Sequence, residues 1–172
     1  DSLGNFISRV LTLLEKYFSS QVPEHNQSTV NKELFTKVQA ACEAIDKAHD
    51  ELKYREVINN MRLLWAYGNE YISQQQPWSV IKHNPEKAGH ILSDCLHLIR
   101  IFAITAWPIM PETAAKIFAL VIKGQDVAGI PVATAADFTC LETGDDVSAK
   151  VTLFSKIEAE TAEELERRFS GD

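Results

Sequence analysis

Glycine and proline are scarce, seven and six among 172 residues. So few turn formers argue against a many-stranded sandwich or barrel and for long helices. Cysteine is scarcer still. Cys42, Cys95 and Cys140 are odd in number and far apart, with no Cys-x-x-Cys and no histidines at finger spacing. That pattern excludes a disulfide framework or a structural zinc site and implies a reducing cytoplasm. The longest strongly apolar run, Ile101 to Met110, is interrupted by Thr105 and Pro108 and falls short of the ~20 residues a membrane helix needs. The chain therefore reads as soluble, with no membrane partner. It also lacks a basic and apolar leader and begins at Asp1 rather than Met, which reads as an excised piece of a longer polypeptide. Phosphate-cradling and nucleophile motifs are missing too: there is no G-x-x-x-x-G-K-[ST], G-x-G-x-x-G, G-x-S-x-G or H-E-x-x-H. No residue is assigned a catalytic role.

What is present is globular. Apolar residues make up 45% and charged residues 24% of the chain, enough for one core. The net charge is −7, which taken whole disfavours an RNA partner, but its distribution changes the reading. Residues 1–123 hold 13 basic and 13 acidic side chains, whereas residues 124–172 hold 4 against 11. A body without net charge can carry a local basic face.

The dominant pattern is an apolar period of 3.6 residues. Leu3, Phe6, Val10, Leu13, Leu14 and Tyr17 mark a helix over about 2–18. A second, capped by Ser28 or Thr29, carries Val30, Leu34, Val38, Ala41, Ile45 and Ala48. A third runs from about Tyr54 through Val57, Met61, Leu64, Gly68 and Ile72, and must stop before Pro77. Asn84-Pro85-Glu86 opens a fourth, which runs to about Ala106, and Pro111 starts a fifth, which ends near Ile122. Beyond Lys123 the chain is loop-rich, with a turn expected around Ala135 to Cys140, an extended piece over Val151 to Ile157 and a charged helix from Thr161 to Phe169. The expected fold is all-α: an antiparallel bundle of about five helices over 1–123, then a loop-rich acidic extension over 124–172 that ends in a short helix and packs on the bundle.

Three polar groupings carry potential chemistry. Glu86, His90, Asp94 and His97 lie on one helix face at spacings of four, four and three. A carboxylate-bridged metal site needs ligands from several helices, and no other helix offers a Glu-x-x-His partner, so the face reads as solvated and no metal is assigned. Asn5, Arg9, Thr12 and Lys16 line the polar face of the first helix; an amide and a guanidinium one turn apart can read the donors and acceptors of a base edge. Trp78, in the Gln74-Gln75-Gln76-Pro77-Trp78 joint between the third and fourth helices, can offer a stacking platform to a nucleobase, and Lys82, His83 and Lys87 follow it closely. Trp65 and Trp107, among apolar helical positions, read as structural.

These residues carry a resemblance. Leu3-Gly4-Asn5-Phe6-Ile7-Ser8-Arg9, then Gly68-Asn69-Glu70-Tyr71-Ile72, Gln76-Pro77-Trp78, Met110-Pro111-Glu112-Thr113-Ala114 and Leu153-Phe154-Ser155-Lys156-Ile157-Glu158 occur in this order. Together they resemble the C-terminal anticodon-binding domain of methionyl-tRNA synthetases, a class I family, over nearly the whole chain. The resemblance implies a helix-bundle domain that selects tRNAs bearing the CAU anticodon, with Asn5, Arg9 and Trp78 contacting chiefly the first anticodon base. It implies methionine tRNA and the domain's own catalytic domain as partners. It further implies that ATP and Mg serve the parent methionine-tRNA ligase, that this fragment carries no cofactor, and that the fragment binds without aminoacylating. Ser73 to Gln76 departs from the acidic and small residues common in that segment of the family, and Ser155 replaces a proline. The alternative from another class is a helical protein-protein interaction module with no RNA role.

Overall fold

In a computed structural model, residues 2–148, 153 and 158–170 are described. The helices are α1 (Ser2–Phe18), α2 (Lys32–Asp50), α3 (Tyr54–Gln75), α4 (Pro77–Val80), α5 (Pro85–Ala106), α6 (Pro111–Val121) and α7 (Ala159–Phe169). Among the described residues the only bridge of strand type is the isolated antiparallel pair Gln21 and Asp146. The fold is all-α.

Each helix follows from its sequence, with some shifts. The buried face of α1 is Leu3, Phe6, Ile7, Val10, Leu11 and Leu14. It is wider than the expected stripe and excludes Tyr17, which is exposed, because α1 packs on both α3 and α5. The cap of α2 is Asn31, not Ser28 or Thr29: its Oδ1 accepts the Leu34 N–H at 2.9 Å. Ser28 and Thr29 instead close a turn on Asn26, which accepts the Ser28 N–H at its side chain and the Thr29 hydroxyl at its carbonyl. Asn84 caps α5 through the Lys87 N–H, with Pro85 at the first helical position.

Helix α5 is the centre of the molecule. Every residue from Ile91 to Ala106 is buried. It is the one helix among the described residues long and apolar enough to cross a membrane, yet 94% of its most apolar window is buried inside the protein, as a core helix's is. Helices α2 and α3 pack together across the connection 51–53, α5 and α6 across 107–110, and α3 packs on α1 and α5. Such short links make sequential helices antiparallel neighbours.

The core continues past Lys123. Val127, Val132, Ala135, Phe138, Leu141 and Val147 are buried with the bundle residues in one cluster. Buried Arg100 of α5 donates through Nη1 to the carbonyls of Ala135 and Asp137, at 2.9 and 3.2 Å. The helical turn here is a 3-10 turn at Val132–Thr134, earlier than expected, and the following residues are held by Asp137, whose Oδ1 accepts the Thr139 N–H and hydroxyl. Of the extended piece expected over Val151 to Ile157, only Leu153 lies among the described residues, half-buried against the core. Helix α7 starts at Ala159 and has no buried residue; Leu165 and Phe169 are exposed.

Gly68 permits the closest approach within the bundle. A Cβ there would lie 2.8 Å from Phe102 Cζ and 3.3 Å from Phe6 Cε2. Both rings are fully buried and pack on each other with centroids 5.4 Å apart, so neither can yield without disturbing α1 or α5. Overpacking of this kind costs about 1–3 kcal/mol, against the roughly 1 kcal/mol that alanine gains over glycine in a helix. Gly68→Ala is therefore expected to lower the stability measured by denaturant unfolding, by up to about 2 kcal/mol.

Candidate nucleic-acid interface

The N-terminal half of α1 turns Leu3, Phe6 and Ile7 inward, which leaves Asn5 exposed and Arg9 half-buried on the opposite side. At the end of α3 the chain reverses through Gln76, a residue in the left-handed region (φ 46°, ψ 56°). Buried Pro77 then starts α4 and fixes its φ. Trp78 thus stands in a helical turn rather than a loop, with 36% of its surface exposed.

The two elements meet at the side chains singled out in the sequence. The Arg9 guanidinium carbon lies 5.2 Å from the Trp78 ring centroid, within cation-π range. Arg9 Nη1 also donates to Ser73 Oγ at 3.4 Å. Asn5 precedes Arg9 by one turn on the same helix. Thr12 and Lys16 do not join them: the Thr12 hydroxyl donates back to the Ser8 carbonyl at 2.7 Å, and the Lys16 ammonium lies 4.9 Å from the Tyr17 ring centroid. Lys82, His83 and Lys87 are exposed around the start of α5. The contact sequence reasoning missed is Ser73, which stands out in sequence only as part of the Ser73 to Gln76 departure. Asn69, four residues before it, fixes the start of α1, its Nδ2 donating to the Ser2 carbonyl and hydroxyl at 2.9 and 3.0 Å.

Comparison with known proteins gives this geometry its family. A profile described as the anticodon binding domain of methionyl tRNA ligase matches residues 22–172. The chain belongs to this family. A methionine-tRNA ligase of Ruegeria sp. (strain TM1040) is 31% identical over 99% of this chain and 30% of its own length. Another, of Methanocorpusculum labreanum, is 30% identical over 96% of this chain and 24% of its length. The chain thus spans about a third or less of the relatives it matches. The crystal structure of the apo form of Mycobacterium tuberculosis methionyl-tRNA synthetase superposes with a TM-score of 0.77 at 24% identity, over 92% of this chain and 32% of that one, a likeness of fold.

In this anticodon-binding domain the face of Glu86, His90, Asp94 and His97 is not solvated, contrary to its polar pattern. Glu86 is exposed and His90 half-buried, but Asp94 and His97 are 4% and 1% exposed, because Asn31 at the start of α2, Tyr71 of α3 and the loops carrying His25 and Phe138 cover that side of α5. Among the described residues no group of three or more His, Cys, Asp and Glu is placed to hold a metal ion. Instead the Tyr71 hydroxyl donates to Asp94 Oδ2 at 2.6 Å, and the Asn31 N–H donates to the same oxygen at 3.3 Å. Burial pushes the Asp94 carboxyl up to about 6, against the lowering effect of the Tyr71 hydrogen bond. His97 Nε2 faces His25 Nε2 at 3.4 Å. His25 Nδ1 donates to the Pro23 carbonyl at 3.0 Å, so in its neutral form His25 accepts there and His97 donates, leaving the buried His97 Nδ1 without a hydrogen-bond partner. Burial, with the charges of His25 and Arg100, brings His97 down to about 3.

The two shifts oppose each other. The raised Asp94 contributes stability that is complete below the ordinary carboxylate range and lost as pH rises through about 6. The lowered His97 contributes stability that is complete above its ordinary value near 6.5 and lost as pH falls toward about 3. Near pH 5 the folded state holds a proton on Asp94 that the unfolded state lacks, and lacks one on His97 that the unfolded state holds, so the slopes cancel. Asp94→Asn removes only the first. Relative to the unsubstituted domain, its unfolding free energy is expected to rise by about 1 kcal/mol per pH unit between pH 4.5 and 5.5, measurable by denaturant titration across that range.

Proposed function

We propose that this domain reads the CAU anticodon of methionine tRNA for a parent methionine-tRNA ligase, and that the parent's catalytic domain supplies the ATP- and Mg-dependent chemistry. Membership of the family supports the anticodon-binding role. The observation that carries the residue assignment is the meeting of Arg9 and Trp78, from two helices far apart in sequence, at one surface beside exposed Asn5. Single-stranded RNA is read by stacking splayed bases on aromatic rings and hydrogen-bonding their polar edges. Trp78 supplies the ring; Asn5 supplies a donor and an acceptor, and Arg9 a fork of donors, one helical turn apart. Lys82, His83 and Lys87 stand where the adjoining phosphates would run. The whole makes a recognition surface, with no nucleophile or acid-base pair in it.

The exposed apolar residues of α7, Leu165 and Phe169, suit a second contact. A short helix with a narrow apolar stripe is marginal alone, and its Glu160, Glu163, Glu164 and Glu166 would repel a phosphate backbone. We assign it to the parent's catalytic domain, away from the RNA. In the isolated domain, amide hydrogen exchange over Thr161 to Phe169 is expected to be fast and that of α1, α2, α3, α5 and α6 slow; equal protection in a monomer would remove this assignment.

The anticodon assignment is tested by binding an anticodon stem-loop to the 172-residue chain. Trp78→Ala is expected to weaken the CAU stem-loop by about 1–3 kcal/mol, the usual worth of one base stacked on an aromatic ring, with helicity unchanged. The unsubstituted chain is expected to prefer the CAU stem-loop to a GAU one, and its affinity to fall with salt. Equal binding of both stem-loops, or none, would leave a protein-interaction module as the reading.

A further inference from the structure

The contact between Arg9 and Trp78 has a consequence for how a base could reach the indole. The guanidinium lies over the ring, 5.2 Å from its centroid, and covers a face on which a base would stack. Besides the ring, the Arg9 head contacts the neutral hydroxyl of Ser73, and no ion pair of Arg9 is present among the described residues. Pro77, which precedes Trp78, is buried, so the indole is anchored by a fixed turn, while the arginine over it is held by a cation-π contact and one 3.4 Å hydrogen bond. Of the two, the arginine is the part that can move.

We infer that Arg9, held by Ser73, is a displaceable lid on Trp78, and that Ser73 is a positioning residue that sets how tightly RNA binds. The inference rests on the anticodon reading above and adds to it a closed state of the site without RNA. To stack on the covered face a base must lift the guanidinium from the ring and from the Ser73 oxygen. The lifted Arg9 then has its fork of donors free for the base edge or a phosphate. A base whose edge accepts from that fork recovers the lost contacts, and one that does not bears the opening unrelieved. When the binding-competent state is only partly populated, apparent affinity falls by that fraction, so anything that weakens the closed state tightens binding.

Ser73→Ala separates this from a static role. It changes no charge, and position 73 is exposed, so the fold is expected to persist. A lid predicts that both CAU and GAU stem-loops bind Ser73→Ala about two-fold more tightly with their ratio kept, the factor expected when one exposed hydrogen bond, weakened by its 3.4 Å length, is lost from the closed state. If Ser73 instead holds Arg9 in the geometry that reads the base, the CAU stem-loop binds more weakly, and the inference is overturned. A measurement without RNA keeps it distinct from the anticodon reading. In protein labelled with 5-fluorotryptophan, with the Trp78 signal identified through Trp78→Phe, relaxation of that signal by a soluble gadolinium chelate is expected to increase in Ser73→Ala and to decrease in Ser73→Asp, where an ion pair with Arg9 replaces the bond to a neutral oxygen and tightens the lid. An unchanged Trp78 signal in both variants overturns the lid even if the stem-loop binds. A responsive signal with no stem-loop preference would uphold the lid and overturn the anticodon reading.

Discussion

The arrangement of this domain depends on how closely α3 can come to α1 and α5, and Gly68 sets that distance. Without a Cβ the α3 backbone accepts the edges of Phe6 and Phe102, which pack tilted against each other. A fixed contact at Phe6 sets the rotation of α1, and Arg9, three residues later, then lies about 300° around the helix. One turn beyond Gly68, Tyr71 and Ile72 carry α3 further into the core, and the helix ends at the left-handed Gln76. The position of Trp78 is thus measured from the same glycine. Two residues with no contact in the sequence become neighbours because each is tied to one buried packing point.

The blocks that carry the family resemblance divide by physical task. In Leu3-Gly4-Asn5-Phe6-Ile7-Ser8-Arg9 the apolar members are core and Asn5 and Arg9 face outward. In Gly68-Asn69-Glu70-Tyr71-Ile72 almost every side chain has a structural use: close approach at Gly68, fixing the start of α1 at Asn69, the buried hydrogen bond of Tyr71 to Asp94, and core packing at Ile72. Met110-Pro111-Glu112-Thr113-Ala114 starts α6 and buries Ala114. The proposed recognition surface of three residues requires a much longer stretch of chain whose task is to hold them, and that stretch is what makes the family visible in sequence.

The helices were legible because their apolar period and their proline and asparagine boundaries are local signals; α3 and α5 begin where Tyr54 and Asn84-Pro85 indicate. What was not legible depends on neighbours. Polar residues at helical spacing on α5 look like a wet face, and only the packing of α2, α3 and the loops against it shows that Asp94 and His97 are enclosed. The Asn31 cap was hidden for a related reason: Ser28 and Thr29 are as good as caps, and the choice falls to Asn31 where the chain meets Asp94. Ser73 stood out only as part of the Ser73 to Gln76 departure, since a serine on an exposed helix face acquires a role only when an arginine from another helix reaches it.

The excess of negative charge also finds its place in the fold. Of the acidic residues beyond Lys123, Asp145 and Asp146 are tied to the far end of α1: the Asp145 carbonyl accepts the Val22 N–H, and Asp146 pairs with Gln21. Asp137 is held through its carbonyl by Arg100 and through its carboxylate by Thr139. Arg9 precedes the end of α1 by nine residues, about 14 Å along the axis, and charges exposed to solvent are screened beyond about 8 Å at physiological ionic strength. A chain of net charge −7 can therefore present a surface around Arg9 and Trp78 whose potential is not set by that acidic loop. Where charges sit, more than their sum, decides whether a polyanion can approach, and here the anchoring of the acidic loop to the opposite end of α1 makes an RNA partner compatible with an acidic chain.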